Sequence, residues 1–180
     1  MTKKYKLGKK HPTENLFRII ALRDFLDVKS GDIGGWIESD KNLSHEGLCW
    51  VFGDARVYGD ARVFGNAQVS DNARVYGDAR VFGDAWVFGN ARVFGDARVF
   101  GNAWVCKSKH TTKVKYFSPS KHSITIDGEY LNIGCMSLTV KEWLKDGEEI
   151  SRKNEYTDEQ IEEYRKIIKC IANTYFNTTN

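Results

Sequence analysis

A chain of 180 residues with 41% apolar content and a formal net charge of +3 is long enough for one compact domain, or for a repeat body with small appendages, and is too apolar for a disordered segment. No stretch approaches the roughly eighteen apolar residues of a membrane span, and the basic opening MTKKYKLGKKHPTENLF lacks the apolar core and cleavage site of a secretion signal. A cytoplasmic protein without membrane contact is expected, whose four widely spread cysteines (Cys49, Cys106, Cys135, Cys170) form no CxxC pair and read as reduced, buried small hydrophobes.

Residues 1–44 read as an N-terminal β cap. FRIIALRDF alternates like a strand, and DVKSGDIGGWIESDKNLSHEGLCWV passes through glycine turns into a degenerate first repeat from His45 to Trp50. Cys49 takes the alanine place in that repeat. A cap is required physically, because the open end of a stack of strands exposes unpaired edges and core side chains.

Residues 45–106 are the repeat body. Valine recurs every sixth residue from Val51 to Val105, and each unit reads valine, aromatic, glycine, Asp or Asn, alanine and then usually arginine. As a short strand, Ala-Arg-Val-Phe puts alanine and valine on one face and arginine and the aromatic on the other. Gly-Asp or Gly-Asn then turns the corner, since glycine reaches backbone angles closed to other residues and Asp or Asn bonds the local backbone.

The residue before each valine fixes the number of sides. It is arginine except at Trp50, Gln68, Trp86 and Trp104, whose spacing is a constant eighteen residues, or three hexapeptides per coil. The fold expected is therefore mainly β, a parallel β-helix of three-sided coils stacked at about 4.8 Å. Fully burying a valine contributes roughly 1.5 to 3 kcal/mol, so the inward valines are the main stabilising set.

On these residues the chain resembles the left-handed parallel β-helix family, whose hexapeptide signature is met from Val51 with Ala55 through Val99 with Ala103. The resemblance supplies the left hand, which the general preference for right-handed parallel crossovers would not. The head, particularly DVKSGDIGGWIES and NLSHEGLCWV, resembles YdcK-like hexapeptide-repeat proteins over about residues 15 to 105. That likeness implies a phage or prophage origin, and the habit of the left-handed β-helix family implies a homo-oligomer, with a trimer favoured.

Outward residues of such a coil form columns. Arg56, Arg74 and Arg92 make one and Arg62, Arg80 and Arg98 another, while the corner aspartates Asp60, Asp78 and Asp96 stand close enough to neutralise them. Six arginines against six aspartates leave residues 51–104 neutral, which argues against non-specific nucleic-acid binding by the repeat body. Either the columns are a self-compensated, solvated ladder, or they are an anion site in which arginine forks grip phosphate or carboxylate beside the stacking rings of Tyr58, Phe64, Tyr76 and Phe82.

The third side carries Trp50 with Phe52, Gln68 with Ser70, Trp86 with Phe88, and Trp104. Five aromatics of roughly 150 to 250 Å² each exceed the patch of about 300 to 600 Å² that monomers ordinarily show, so this side is expected to be covered by the C-terminal helix or by another subunit. Its oligomer-interface residues are Trp50, Gln68, Ser70, Trp86, Phe88 and Trp104. Gln68 and Ser70, with Asp71 in place of the corner glycine, suggest a notch in the wall.

Residues 107–180 form a C-terminal hairpin and helix module. KSKHTTKVKYFSPSKH is the most basic stretch and holds no acid, so it reads either as a solvated, lysine-guarded edge or as an anion contact through Lys113, Lys115 and Tyr116. SITIDGEYLNIGC reads as a hairpin around Asp127-Gly128. Thr139 with Glu142 and Thr157 with Gln160 are capping boxes that start a short helix and a long one, the latter with Ile161, Tyr164, Ile168 and Ile171 on one face.

Acyltransferases and carbonic anhydrase relatives built on such coils need histidine as a base or as metal ligands, and no histidine lies between residues 46 and 109. His45 and His110 stand at opposite ends of the coil, and Cys106, His110, His122 and Cys135 fit no common zinc spacing. No catalytic residue, metal or cofactor is expected. The reading is a non-catalytic oligomeric binding or scaffold protein that sequesters an anionic aromatic ligand such as a nucleotide. The alternatives are a structural protein docking a host or virion protein, and an acyltransferase-like enzyme with an intersubunit site. The ligand residues named are Arg56, Arg62, Arg74, Arg80, Arg92, Arg98, Tyr58, Tyr76, Lys113, Lys115 and Tyr116.

Overall fold

Alternation in the head and strict six-residue recurrence in the body produce one continuous stack. The computed structural model describes residues 3–106, 115–117, 119–134 and 136–176, with the backbone alone described at 115–117 and 127. Three strands open the chain, β1 (Tyr5–Lys10), β2 (Phe17–Ala21) and β3 (Ile33–Ile37), paired antiparallel in the order β1-β2-β3. Each hexapeptide then contributes one short strand: β4 (Trp50–Val51), β5 (Arg56–Val57), β6 (Arg62–Val63), β7 (Gln68–Val69) and β8 (Arg74–Val75). β9 (Arg80–Val81), β10 (Trp86–Val87), β11 (Arg92–Val93), β12 (Arg98–Val99) and β13 (Trp104–Val105) complete the body.

All pairing within the body is parallel and one coil apart. The sheets run β3-β5-β8-β11, β6-β9-β12 and β4-β7-β10-β13, which makes a three-sided β-solenoid of about four turns. Trp86 sits opposite Trp104 and Arg62 opposite Arg80, as an eighteen-residue coil requires. Each coil donates backbone hydrogen bonds to the next, for example Arg56 N–H to Ala73 O at 2.9 Å and Tyr58 N–H to Val75 O at 3.0 Å. Every valine from Val51 to Val105 and every alanine from Ala55 to Ala103 is buried in one core.

The corners are closed by glycines at positive φ, such as Gly77 at +70°, where a Cβ would meet the Gly95 nitrogen at 2.9 Å. Only backbone that fits so closely lets successive corners stack. Asp71 takes the same left-handed conformation at φ +59°, and its carboxylate accepts the Gly89 N–H at 2.8 Å.

Stacking starts earlier than the valine pattern. β3 runs parallel to β5, with Trp36 opposite Arg56 and Ile37 opposite Val57, and Leu43 bridges Val63 on the next side. Ile37 and Leu43 keep the six-residue step, but eight residues separate Leu43 from Val51. The first coil therefore holds a two-residue insertion. Gly34 and Gly35 permit the close approach of β3, because a Cβ on either would stand 2.6 Å from Val51 O or 2.7 Å from Ala55 O.

The cap also meets the carbonyls of the first coil. Lys4 Nζ donates to Cys49 O at 2.7 Å, Tyr5 Oη to Leu43 O at 2.7 Å, and Arg18 to Gly34 O at 3.0 Å. Arg18 also pairs with Asp54 at 2.7 Å and lies over the Trp36 ring at 4.2 Å. Trp50, expected on the outer wall, is buried instead, with Phe25 and Tyr5 edge-on to it at 5.2 and 6.2 Å.

After the coil come β14 (Lys115–Phe117), β15 (Ile124–Asp127), β16 (Tyr130–Ile133) and β17 (Met136–Thr139), an antiparallel sheet with its hairpin at Gly128. Two helices follow, α1 (Val140–Lys153) and α2 (Asp158–Tyr175), each opened by the expected capping box. The apolar stripe of α2 does not reach the aromatic wall. Tyr164, Ile168 and Ile171 pack with Trp143 onto Ile124, Leu131 and Ile133, so the module covers its own helix. Ser123 Oγ donates to Asn102 O at 3.0 Å where the module meets the last corner. Among the cysteines, Cys49 is buried and Cys106 partly so, but Cys170 is exposed; Cys135 lies outside the described residues.

Candidate functional site

Two sides of the solenoid carry the same outward pattern, a column of arginines beside a column of stacked rings. On the side of β5, β8 and β11, Tyr58 stacks on Tyr76 at 5.0 Å and Tyr76 on Phe94 at 5.2 Å, next to Arg56, Arg74 and Arg92. On the side of β6, β9 and β12, Phe64 stacks on Phe82 at 4.9 Å and Phe82 on Phe100 at 5.4 Å, next to Arg62, Arg80 and Arg98. The interplanar angles of 1° between the upper rings follow from the sequence: identical residues one coil apart adopt identical rotamers.

The corner aspartates Asp54 and Asp60 form their ion pairs with the cap, although the Arg62 charge adds to the Lys41 contact in lowering the Asp60 pKa. Asp54 pairs with Arg18 and Asp60 with Lys41 at 2.8 Å, both partners coming from the cap. Arg56 pairs with Glu14. Among the described residues no ion pair within 4.0 Å reaches Arg62, Arg74, Arg80, Arg92 or Arg98. Guanidinium groups left so are available to planar anions.

The two sides differ at their upper ends. Above Tyr58 stand Glu14 and Glu38, whose carboxylate accepts the Gly59 N–H at 2.7 Å, so that end is acidic. Above Phe64 lies a groove of about 370 Å³ lined by Lys41, Ser44, His45, Arg62, Phe64 and Arg80, with Asp40 at its edge. Its rim is a short 3-10 helix, Asp40–Asn42, pinned from below by Asn42 Nδ2, which donates to Gly59 O and Ala61 O at 2.9 Å each. His45 stacks on Tyr5 at 4.2 Å, and its Nδ1 accepts the Lys4 backbone N–H at 3.2 Å. That bond leaves Nε2 to carry the proton of the neutral ring. Burial lowers the His45 pKa below the ordinary imidazole value, the neighbouring Lys3 and Lys4 charges lower it further, and Asp40 opposes them.

The repeats that build both sides match the model of the YdcK Beta solenoid repeat at residues 55–71, 67–81, 73–89 and 91–107. The repeat body is YdcK-like. A relative from Escherichia coli (strain K12), the "Uncharacterized acetyltransferase YdcK", is 49% identical over 37 residues. The matched segment spans 21% of this chain and 11% of that relative.

Of the residues named from sequence, the coil places all six arginines with Tyr58 and Tyr76, but on two different sides. Lys113 and the side chains of Lys115 and Tyr116 lie outside the described residues, as does His110. Gln68, Ser70, Trp86, Phe88 and Trp104 share the third side; Trp86 stands 5.3 Å from Trp104, and its indole N–H donates to Ser70 Oγ at 3.1 Å. The sequence notch is thus bridged by the Trp86 ring. Lys41, Ser44 and His45 were missed as partners of Arg62 and Arg80. The signal that could have found them is the six-residue step from Ile37 to Leu43.

Proposed function

We propose that the protein is a non-catalytic binding protein that captures an anionic, aromatic small molecule of the nucleotide class. The observation that carries this reading is the run of arginines without carboxylate partners beside columns of stacked rings, since guanidinium forks suit phosphate and exposed rings suit a base. The solenoid acts as a rigid scaffold that fixes those columns. Trp86, exposed on the third side beside the half-buried Phe88 and Trp104, supports assembly into a homo-oligomer through that side, with a trimer as the expected form. Calorimetry with a panel of mono- and cyclic nucleotides tests the reading: heat is expected with the native chain and is weakened in an Arg74→Ala, Arg80→Ala variant. No heat from any nucleotide would discard it.

The name of the Escherichia coli relative supports acyl transfer as a second reading. His45 is the histidine beside the arginines, but its Nδ1 already accepts a backbone N–H, which leaves it placed to donate to an anion and not to act as a base. Thiol release from acetyl-CoA, measured with the native chain and with His45→Gln, separates the two readings.

A further inference from the structure

The ring column on the side of β6, β9 and β12 is one ring short at its upper end. Leu43 bridges Val63 as Val63 bridges Val81, and Ser44 N–H donates to Val63 O at 2.9 Å as Phe64 N–H does to Val81 O at 3.0 Å. Ser44 therefore occupies the place that Phe64, Phe82 and Phe100 fill in the coils below. A serine there leaves the upper face of Phe64 open into the groove, and Phe64 is among the more exposed apolar side chains, at 36%.

The surroundings of that vacancy are set up for an anion. Arg62 lies two residues before Phe64, Arg80 lies one coil below Arg62, and Lys41 and His45 close the rim. Arg62 and Arg80, in no ion pair among the described residues, face one lining carboxylate, Asp40, which Lys3 meets at 3.9 Å; Lys41 is held by Asp60 at 2.8 Å, and the Asp60 carboxylate also feels the Arg62 charge. The equivalent place on the neighbouring side has the opposite chemistry, with Glu38 above Tyr58 and Arg56 already paired to Glu14. The acidic end repels what the basic end attracts.

We propose that the groove over Phe64 binds a nucleoside monophosphate, the base supplying the ring that Ser44 omits and the phosphate lying against Arg62, Arg80 and Lys41. The proposal rests on the reading of the protein as a nucleotide binder and assigns that reading a single site. Base and phosphate act together here: the ring stacks on Phe64 as Phe82 does from below, and the phosphate meets guanidinium forks and the His45 N–H.

Ser44→Phe completes the column and should close the site without disturbing the coil. Titration of the full-length chain with AMP, adenosine and inorganic phosphate is expected to show AMP binding at least tenfold more tightly than either part. Ser44→Phe and Arg62→Ala should each weaken AMP at least tenfold, while Arg152→Ala with Arg165→Ala, on the C-terminal helices, leaves it unchanged. Saturation-transfer NMR on the native chain should show the adenine protons in contact with the Phe64 ring, lost in Phe64→Leu, which keeps the site testable if Ser44→Phe does not fold. AMP binding that survives Ser44→Phe, that persists in Arg62→Ala but disappears in an Arg74→Ala, Arg92→Ala variant on the other side, or that inorganic phosphate matches in strength would overturn this site alone. Absence of binding by every nucleotide would overturn the wider reading with it.

Discussion

Lys4 and Cys49 meet inside the N-terminal cap, the ammonium nitrogen lying 2.7 Å from the Cys49 carbonyl oxygen and 3.2 Å from its sulfur, with both residues fully buried. Burial lowers the Lys4 pKa, the Cys49 contact opposes that shift, and Arg23 adds to it. The lysine answers carbonyls that the open end of the coil would otherwise leave without donors. Lys4→Met removes the donor and keeps the bulk, so about 1 to 3 kcal/mol of stability should be lost, read as a lower denaturant midpoint. An unchanged midpoint would mean that water satisfies those carbonyls.

His45 gives the first coil a pH dependence of known sign. Its folded pKa lies below the unfolded value of about 6.5, so between the two values the unfolded chain binds more protons than the native one. Its contribution is complete above the unfolded value and is lost as pH falls towards the folded one. The denaturant midpoint of the native chain should fall more steeply below pH 6.5 than that of His45→Gln. Parallel curves would contradict the assignment.

The corners predict a ranking between two equal substitutions. Gly77 and Gly95 both sit at positive φ, +70° and +63°, but a Cβ on Gly77 would press on the Gly95 nitrogen at 2.9 Å, whereas among the described residues one on Gly95 meets nothing within 4 Å. Gly95→Ala should cost about 1 to 2 kcal/mol, the left-handed conformation alone. Gly77→Ala should cost measurably more by thermal denaturation, because its neighbour is backbone that cannot move without breaking the stack.

In the C-terminal module the Trp143 indole N–H donates to Leu131 O at 2.8 Å in a buried setting. Trp143→Phe leaves that carbonyl unmet and should cost about 1 to 3 kcal/mol, with the loss of near-ultraviolet signal confined to this module.

Much of this architecture was legible because the repeat is strict. Val51 to Val105 gave side number, register and columns, and Thr139 and Thr157 gave both helix starts, since capping is a local interaction written in four residues. What the sequence hid was non-local. Ile37 and Leu43 belong to the first coil, but the two extra residues before Val51 break the period, so residues up to Ser44 read as part of the cap. Lys4 stands in a basic opening, and nothing nearby in the sequence announces the carbonyls it meets. The α2 stripe was set against the wrong surface for a related reason: Ile124, Leu131 and Ile133 form a face only once three short strands are paired. The ion pairs that use Asp54 and Asp60 likewise come from Arg18 and Lys41, far off in the chain.

Because each coil touches only its neighbours and repeats every eighteen residues, the middle of the molecule is modular in a way its ends are not. Splicing in one more coil between Val75 and Val93 would carry the C-terminal module outward by a single strand spacing, about 4.8 Å, while every bond around Lys4, Asn42 and Ser44 stayed as it is. Length is thus a variable that selection can adjust independently of the machinery at the amino-terminal pole, turning the shaft into a spacer between two fixed fittings.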